Sequence, residues 1–329
     1  MRDVDDPVPA PDPALIYRLY TGGFRPQVVR IALSLDLFSP LAAGPAGAAD
    51  VARACGCAEE GVRLLLDHLV TLALLARQGE QYRLTPTAAT FLVPGEPTYA
   101  GDWILAHTDP ALWEGVLAAL RGRRPDPPPF PWQQDAWLQL HRPGGLEAAL
   151  VLWRAAGVRP EEGMPFRLLD VGCGAAVKSL ALARAHPEVE VTCLDRPAVL
   201  EVARHLAADL ELASRTTFLP GDLGHAALEP EFYDAALLGY VTDYLRPPQN
   251  LSLLRRVHAA LAPGGRLVID VLLATPEGDE FAATSALLAW TLAGSRPYTF
   301  DDYRAWLAET GFAEVQQVGG NWIMAHKAE

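Results

Sequence analysis

Residues 168–183 read Leu-Leu-Asp-Val-Gly-Cys-Gly-Ala-Ala-Val-Lys-Ser-Leu-Ala-Leu-Ala. An apolar run ends at Asp170-Val171, the turn Gly172-Cys173-Gly174 follows, and a helical stretch begins almost at once. Glycines let a backbone turn sharply and approach a ligand, and a helix N-terminus offers N–H groups with no partner inside the helix. About 21 residues past Gly174 the next strand ends in Asp195, where a carboxylate can take both hydroxyls of an adenosine ribose. A dinucleotide site would want a third glycine where Val177 stands. Asp170, just before the turn, would repel a pyrophosphate and suits the cationic end of an amino acid.

Working outward, the chain from Pro165 alternates short apolar runs with helical stretches. Strands are expected at Phe166–Val171, Val189–Asp195, Thr216–Leu219, Tyr233–Val241 and Arg266–Leu273. Helices are expected at Lys178–His186 and Asn250–Leu261, stopped by Pro187 and by Pro263-Gly264-Gly265. Thr299 and Asp302 form a capping box for a helix ending at Gly311, and two strands near Glu314–Val318 and Trp322–Lys327 close the chain. This alternation predicts an α/β, doubly wound, mostly parallel sheet. The third strand runs into Pro220-Gly221-Asp222-Leu223, where a carboxylate can accept from an adenine amino group.

The N-terminal half reads differently. Residues 1–12 are acidic and proline-rich, without the apolar core of a signal peptide, and are expected to be a disordered tail. Pro13–Leu41 is helical and apolar on every face, so it must be buried on all sides. A second subunit is the easiest cover this early in a chain, which predicts a homodimer. A short helix at Ala49–Ala54, a longer one over Glu59–Leu75 and a hairpin around Gln78-Gly79 give a winged-helix pattern. Its second helix sets Glu59, Glu60 and Asp67 against Arg63 and Arg77, which is no footprint for a DNA groove. The domains are therefore expected at 13–100 (winged-helix-like dimerisation), 101–163 (helical connector, broken at 121–131) and 164–329 (ligand-binding).

The 329 residues carry a formal charge of −13, and Lys178 and Lys327 are the only lysines. That balance argues against nucleic acid and anionic membrane as partners. Cys55, Cys57, Cys173 and Cys193 have neither zinc spacing nor the number to staple such a chain, and they read as reduced thiols of a soluble, cytoplasmic protein. No carboxylate and histidine cluster suggests a metal.

Together, Asp170-Val-Gly-Cys-Gly174, the strand-end Asp195, Gly221-Asp-Leu223, Ala262-Pro-Gly-Gly-Arg266 and the terminal Gly311-Phe312 resemble the class I methyltransferases, specifically the plant-type and bacterial small-molecule O-methyltransferases. The resemblance covers about residues 13–327 and includes the dimerisation domain. It implies a Rossmann-like sheet with an antiparallel last strand. The cofactor it implies is S-adenosyl-L-methionine, with S-adenosyl-L-homocysteine as product and contacts at Asp170, Gly172, Gly174, Asp195, Arg196, Asp222 and Leu223.

The chain departs from that family at the proton-handling residues. The family's histidine, in Leu-His-Asp-Trp, is replaced in Val241-Thr242-Asp243-Tyr244 by Thr242, and a threonine is no general base near neutral pH. Asp270 stands where the family favours glutamate, and Ser295-Arg296 where a second glutamate often precedes an arginine. Three readings stay open: an acceptor that needs no base, proton handling by Tyr240, Asp243 or Tyr244, or a scaffold that binds the cofactor without methylating. The acceptor expected is a hydrophobic cyclic or aromatic metabolite, methylated on oxygen or carbon. Trp103, His107, Trp153, Trp290 and Tyr298 are the residues expected to line its site.

Overall fold

The computed structural model describes residues 11–96, 98–123, 131–142, 144–274 and 280–328. Its backbone divides into two units, one formed by residues 1–114 with 129–134 and the other by 115–128 with 135–329.

The first unit contains α1 (Pro13–Gly22), α2 (Phe24–Ser34), α3 (Phe38–Ala42), β1 (Ala46–Gly47), α4 (Ala48–Cys55), α5 (Glu59–Thr71), β2 (Leu75–Gln78), β3 (Gln81–Leu84), α6 (Pro86–Phe91) and α7 (Gly101–Thr108). Of the tail expected over 1–12, only Pro11 and Asp12 are described; the rest lies outside the described residues. Asp12 Oδ1 accepts from Ala14 N at 2.9 Å and so caps α1, with Pro13 fixing the first turn. The small sheet has the order β1-β3-β2, and α4, α5 and the β2–β3 hairpin form the winged-helix pattern read from the sequence. Leu37, Val51, Leu66, Leu69 and Tyr82 make its core. Arg63 pairs with Glu59 and Glu80, and Arg77 with Asp67 and Glu80, so carboxylates already match the guanidinium charge a phosphate backbone would require.

The cover expected for α1 is not supplied by its own chain. α1 buries none of its residues, and Leu15, Ile16, Tyr17, Leu19 and Tyr20 stand 48–68% exposed. A contiguous apolar face of that kind marks a contact surface.

α8 (Pro110–Leu120) and α9 (Trp132–Leu140) carry the chain from one unit to the other. Of the expected break at 121–131, residues 124–130 lie outside the described residues. The second unit continues with α10 (Gly145–Ala155), β4 (Phe166–Val171), α11 (Val177–Ala185), β5 (Val189–Asp195), α12 (Pro197–Asp209), β6 (Thr216–Pro220), β7 (Tyr233–Gly239), α13 (Pro247–Ala260), β8 (Leu261–Asp270), α14 (Glu280–Ala293), α15 (Phe300–Glu309), β9 (Phe312–Val318) and β10 (Trp322–Lys327). Its seven-stranded sheet runs β6-β5-β4-β7-β8-β10-β9, parallel through β8 and antiparallel at β10 and β9. The central strands are near-continuous apolar runs because helices cover both faces. The strand order reverses between β4 and β7, which opens a crevice at the carboxyl ends of the strands.

The fifth strand begins earlier than the sequence suggested. Tyr233 pairs with Leu261 and Ala235 with Arg266, so residues 262–265 bulge out of a strand already under way. Gly265 permits this, since a Cβ there would lie 2.8 Å from the Ala262 carbonyl oxygen.

Ala176, which opens α11, holds a left-handed backbone (φ +55°) that costs an L-residue about 1 kcal/mol. Ala176→Gly is therefore expected to stabilise the protein by up to about 1 kcal/mol. Scanning calorimetry checks this by a raised Tm; a lowered Tm would contradict it.

Candidate active site

The crevice is built from strand ends. After β4 the chain turns through Gly172 (φ +70°) and Gly174 (φ +57°). A Cβ on Gly172 would fall 2.5 Å from Val241 Cγ2, so glycine is required by both conformation and space. At the end of β5, Asp195 accepts from Gly174 N at 3.0 Å and from Arg196 N at 2.7 Å, one bond to each oxygen. Burial pushes its pKa up, and the two N–H groups oppose that. A carboxylate has about four acceptor positions, so each oxygen keeps capacity for a hydroxyl.

Asp222 lies beyond β6 and is exposed. Its Oδ1 accepts from Gly224 N at 2.8 Å and lies 2.7 Å from His225 Nδ1, which together hold its pKa below the usual range. The Leu223 carbonyl accepts from Arg256, and the Leu223 side chain packs towards Gly172. Asp170 is 2% exposed and takes a 2.5 Å hydrogen bond from Ser179 Oγ. Burial pushes it up to about 6, against the pull of Ser179 and Lys178.

The segment behind β7 completes the site. Tyr240 adopts a left-handed backbone (φ +55°), rare for a bulky residue, and its N–H donates to the Asp270 carbonyl at 2.7 Å. Thr242 is fully buried: its hydroxyl shares a 2.7 Å hydrogen bond with the Tyr303 hydroxyl, and its carbonyl accepts from Asn250 Nδ2. The position where the resembled family carries its histidine is thus sealed into the core. Asp243 is 6% exposed; Oδ2 accepts from Leu272 N at 3.3 Å, whereas Oδ1 is buried with no hydrogen-bond partner among the described residues. Burial, with Asp270 adding to it, pushes Asp243 up to about 7. Tyr240 and Tyr244 are each pushed up to about 12, chiefly by burial, with Asp270 adding at Tyr240 and Asp135 at Tyr244. Both phenols therefore keep their protons at neutral pH, and the carboxyl among the three titrates there. An open cavity of about 560 Å³ lies beside Tyr244, lined also by Arg246, Pro248, Gln249 and Ala293.

Two of the aromatic residues expected to face an acceptor do not. Trp153 is 1% exposed, and its indole N–H donates to the Lys178 carbonyl at 2.7 Å. Tyr298 is 2% exposed, donates to the Leu245 carbonyl and packs edge-on against Trp306. Side chains so completely covered line no cavity; they are packing residues, and the sequence expectation is corrected for both. Trp290 is half-buried on α14. Trp103 and His107 belong to the first unit, where their rings lie 4.3 Å apart and His107 Nδ1 bonds the Trp103 carbonyl one turn back. The reading of the sequence missed the ion pair of Lys178 with Asp270, Nζ to Oδ2 3.1 Å, and Tyr303 as the partner of Thr242.

Residues 17–94 match the O-methyltransferase dimerisation domain and residues 168–265 a methyltransferase domain. The chain is 32% identical over 320 residues to the acetylserotonin O-methyltransferase of Mus musculus, covering 88% of this chain and 81% of that one. The chain belongs to the S-adenosylmethionine-dependent O-methyltransferase family. It is also 29% identical over 328 residues to the 3-hydroxy-5-methyl-1-naphthoate 3-O-methyltransferase of Streptomyces sahachiroi, covering 95% and 94% of the two chains. Human N-acetylserotonin methyltransferase, solved in complex with S-adenosylmethionine, shares the fold with a TM-score of 0.68, at 23% identity and over 98% and 100% of the two chains. The methyltransferase takes its methyl group from S-adenosylmethionine, and the crevice fits that donor. The turn at Gly172 has no room for a Cβ, Asp195 keeps open acceptor positions, and a buried carboxylate stands behind the turn. No described helix is long and apolar enough to cross a membrane.

Proposed function

We propose that this methyltransferase methylates a hydroxyl group of a hydrophobic aromatic small molecule, with Asp243 accepting the hydroxyl proton. One observation carries the reading: a buried carboxyl with an unpaired oxygen, titrating near neutrality, directly follows a threonine sealed out of the chemistry. The donor supplies an electrophilic methyl group on a sulfonium when bound. Asp195 takes the ribose hydroxyls, and Asp222 accepts from the adenine amino group. Leu223 packs beside the base and Arg196 lies along the adenosine. The Gly172–Gly174 backbone allows close approach, and Asp170 faces the amino group of the methionyl end. Asp243 Oδ1 takes the proton of the acceptor hydroxyl, which leaves an oxygen nucleophilic enough to be methylated. Tyr240 and Tyr244 remain protonated and serve as hydrogen-bond donors.

The relatives named above act on a hydroxynaphthoate and on acetylserotonin, which supports an aromatic acceptor. The test is incubation with the donor and a panel of hydroxynaphthoates, hydroxyindoles and polycyclic phenols, followed by mass spectrometry and NMR of the product. An O-methyl ether supports the reading; a C-methyl product, or no methylated product across the panel, contradicts it.

We infer also that the chain forms a homodimer through the exposed apolar face of α1, inside the segment that matches the dimerisation domain. Ile16→Glu combined with Tyr20→Glu would bury two unpaired carboxylates in that interface. Sedimentation velocity should show a dimer for the native chain and a shift to monomer for the variant. An unchanged dimer would place the interface elsewhere.

A further inference from the structure

The donor's methionyl end is a zwitterion, and Asp170 answers only its ammonium. A cation at the same crevice would stabilise its carboxylate. Lys178 stands in the first turn of α11, four residues past Gly174, and the bond from Trp153 Nε1 to its carbonyl fixes its backbone. Its side chain reaches the ends of β7 and β8. The ammonium lies 3.1 Å from Asp270 Oδ2 at the end of β8 and 4.9 Å from the centre of the Tyr240 ring behind β7. It also comes within 3.2 Å of where a Cβ on Gly239 would stand, so it fills the space a side chain there would take. An ammonium has three N–H donors, and Asp270 engages one. The side chain is 26% exposed, so it is neither sealed in the core nor loose on the surface.

The charges around it point the same way. Asp170, Asp195, Asp243 and Asp270 cluster at the ends of adjoining strands or just beyond them, and Lys178 is a cation that acts on Asp170 and pairs with Asp270. We propose that Lys178 binds the methionyl carboxylate of the donor, opposite Asp170 across the glycine turn; this rests on the donor site proposed above.

Calorimetric titration of the full chain with S-adenosylhomocysteine and with 5′-methylthioadenosine tests this. The first carries the methionyl carboxylate; the second keeps the adenosine and sulfur but lacks the amino-acid end. Lys178→Met is expected to weaken S-adenosylhomocysteine about 10- to 100-fold and to leave 5′-methylthioadenosine within about twofold. Lys178→Arg should restore most of the loss. The double variant Lys178→Met with Asp270→Asn removes the carboxylate left unpaired, and should show the same split between the two ligands. Unchanged S-adenosylhomocysteine affinity in Lys178→Met, or equal loss of both ligands in the double variant, would overturn the assignment of Lys178 while leaving the donor site standing. A native chain that binds neither ligand would overturn the donor site itself.

Discussion

Asp243→Asn is expected to lower kcat by roughly 10²- to 10⁴-fold, the range lost when a positioned general base is removed, while S-adenosylhomocysteine binds as before. Asparagine keeps the size of the side chain and its bond from Leu272 N, and deletes only the ability to take a proton. The pH dependence gives the same test in another form. With Asp243 titrating at about 7, kcat/KM of the native enzyme should climb as pH rises through that value and then level. The Asn variant should lack that limb. A variant that keeps the limb would assign the proton to another group.

Stability should move the opposite way. The folded-state pKa of Asp243, about 7, lies above its unfolded value, so the fold favours the protonated form. The stability this contributes is fully present below the unfolded carboxylate pKa and is lost as pH rises through about 7. Asp243→Asn should therefore melt higher than the native protein near pH ~8, with the gap closing towards pH ~4. Such a trade, stability given up for a poised group, is common at active sites.

The second large effect is expected at Asp195. Asp195→Ala should raise Kd for S-adenosylmethionine and S-adenosylhomocysteine by roughly 100-fold or more, because hydrogen bonds to a charged acceptor contribute about 1.5–3 kcal/mol each. The loss has two parts. The ribose hydroxyls lose their acceptor, and Gly174 N and Arg196 N lose the carboxylate that fixes the turn. Asp195→Asn keeps one acceptor oxygen and should fall between. Calorimetry measures both; unchanged donor affinity in Asp195→Ala would place the adenosine elsewhere.

The parts of this site legible in the sequence are local. Asp170, Gly172 and Gly174 share one turn, and Asp195 and Asp222 sit at the ends of strands whose apolar runs are unmistakable, so spacing alone sets them on one edge of the sheet. The capping box at Thr299 was equally readable, since its partners are three residues apart. What escaped depends on chain segments far apart in sequence. Thr242 meets Tyr303 across 61 residues, and Lys178 meets Asp270 across the sheet. No periodicity announces either contact. Aromatic residues failed for a different reason: an aromatic side chain in a dry core and one beside a ligand look alike in sequence, and Trp153 and Tyr298 are buried in the former way. The exposed face of α1 is the reverse case, an apolar pattern that a single chain leaves uncovered.

The measurement that bears most directly on the whole reading is calorimetric titration of the native chain with S-adenosylmethionine and, separately, with S-adenosylhomocysteine. The donor site built on Asp195 and the glycine turn predicts saturable binding of both, one molecule per chain, at micromolar levels. No saturable heat with either ligand would contradict it.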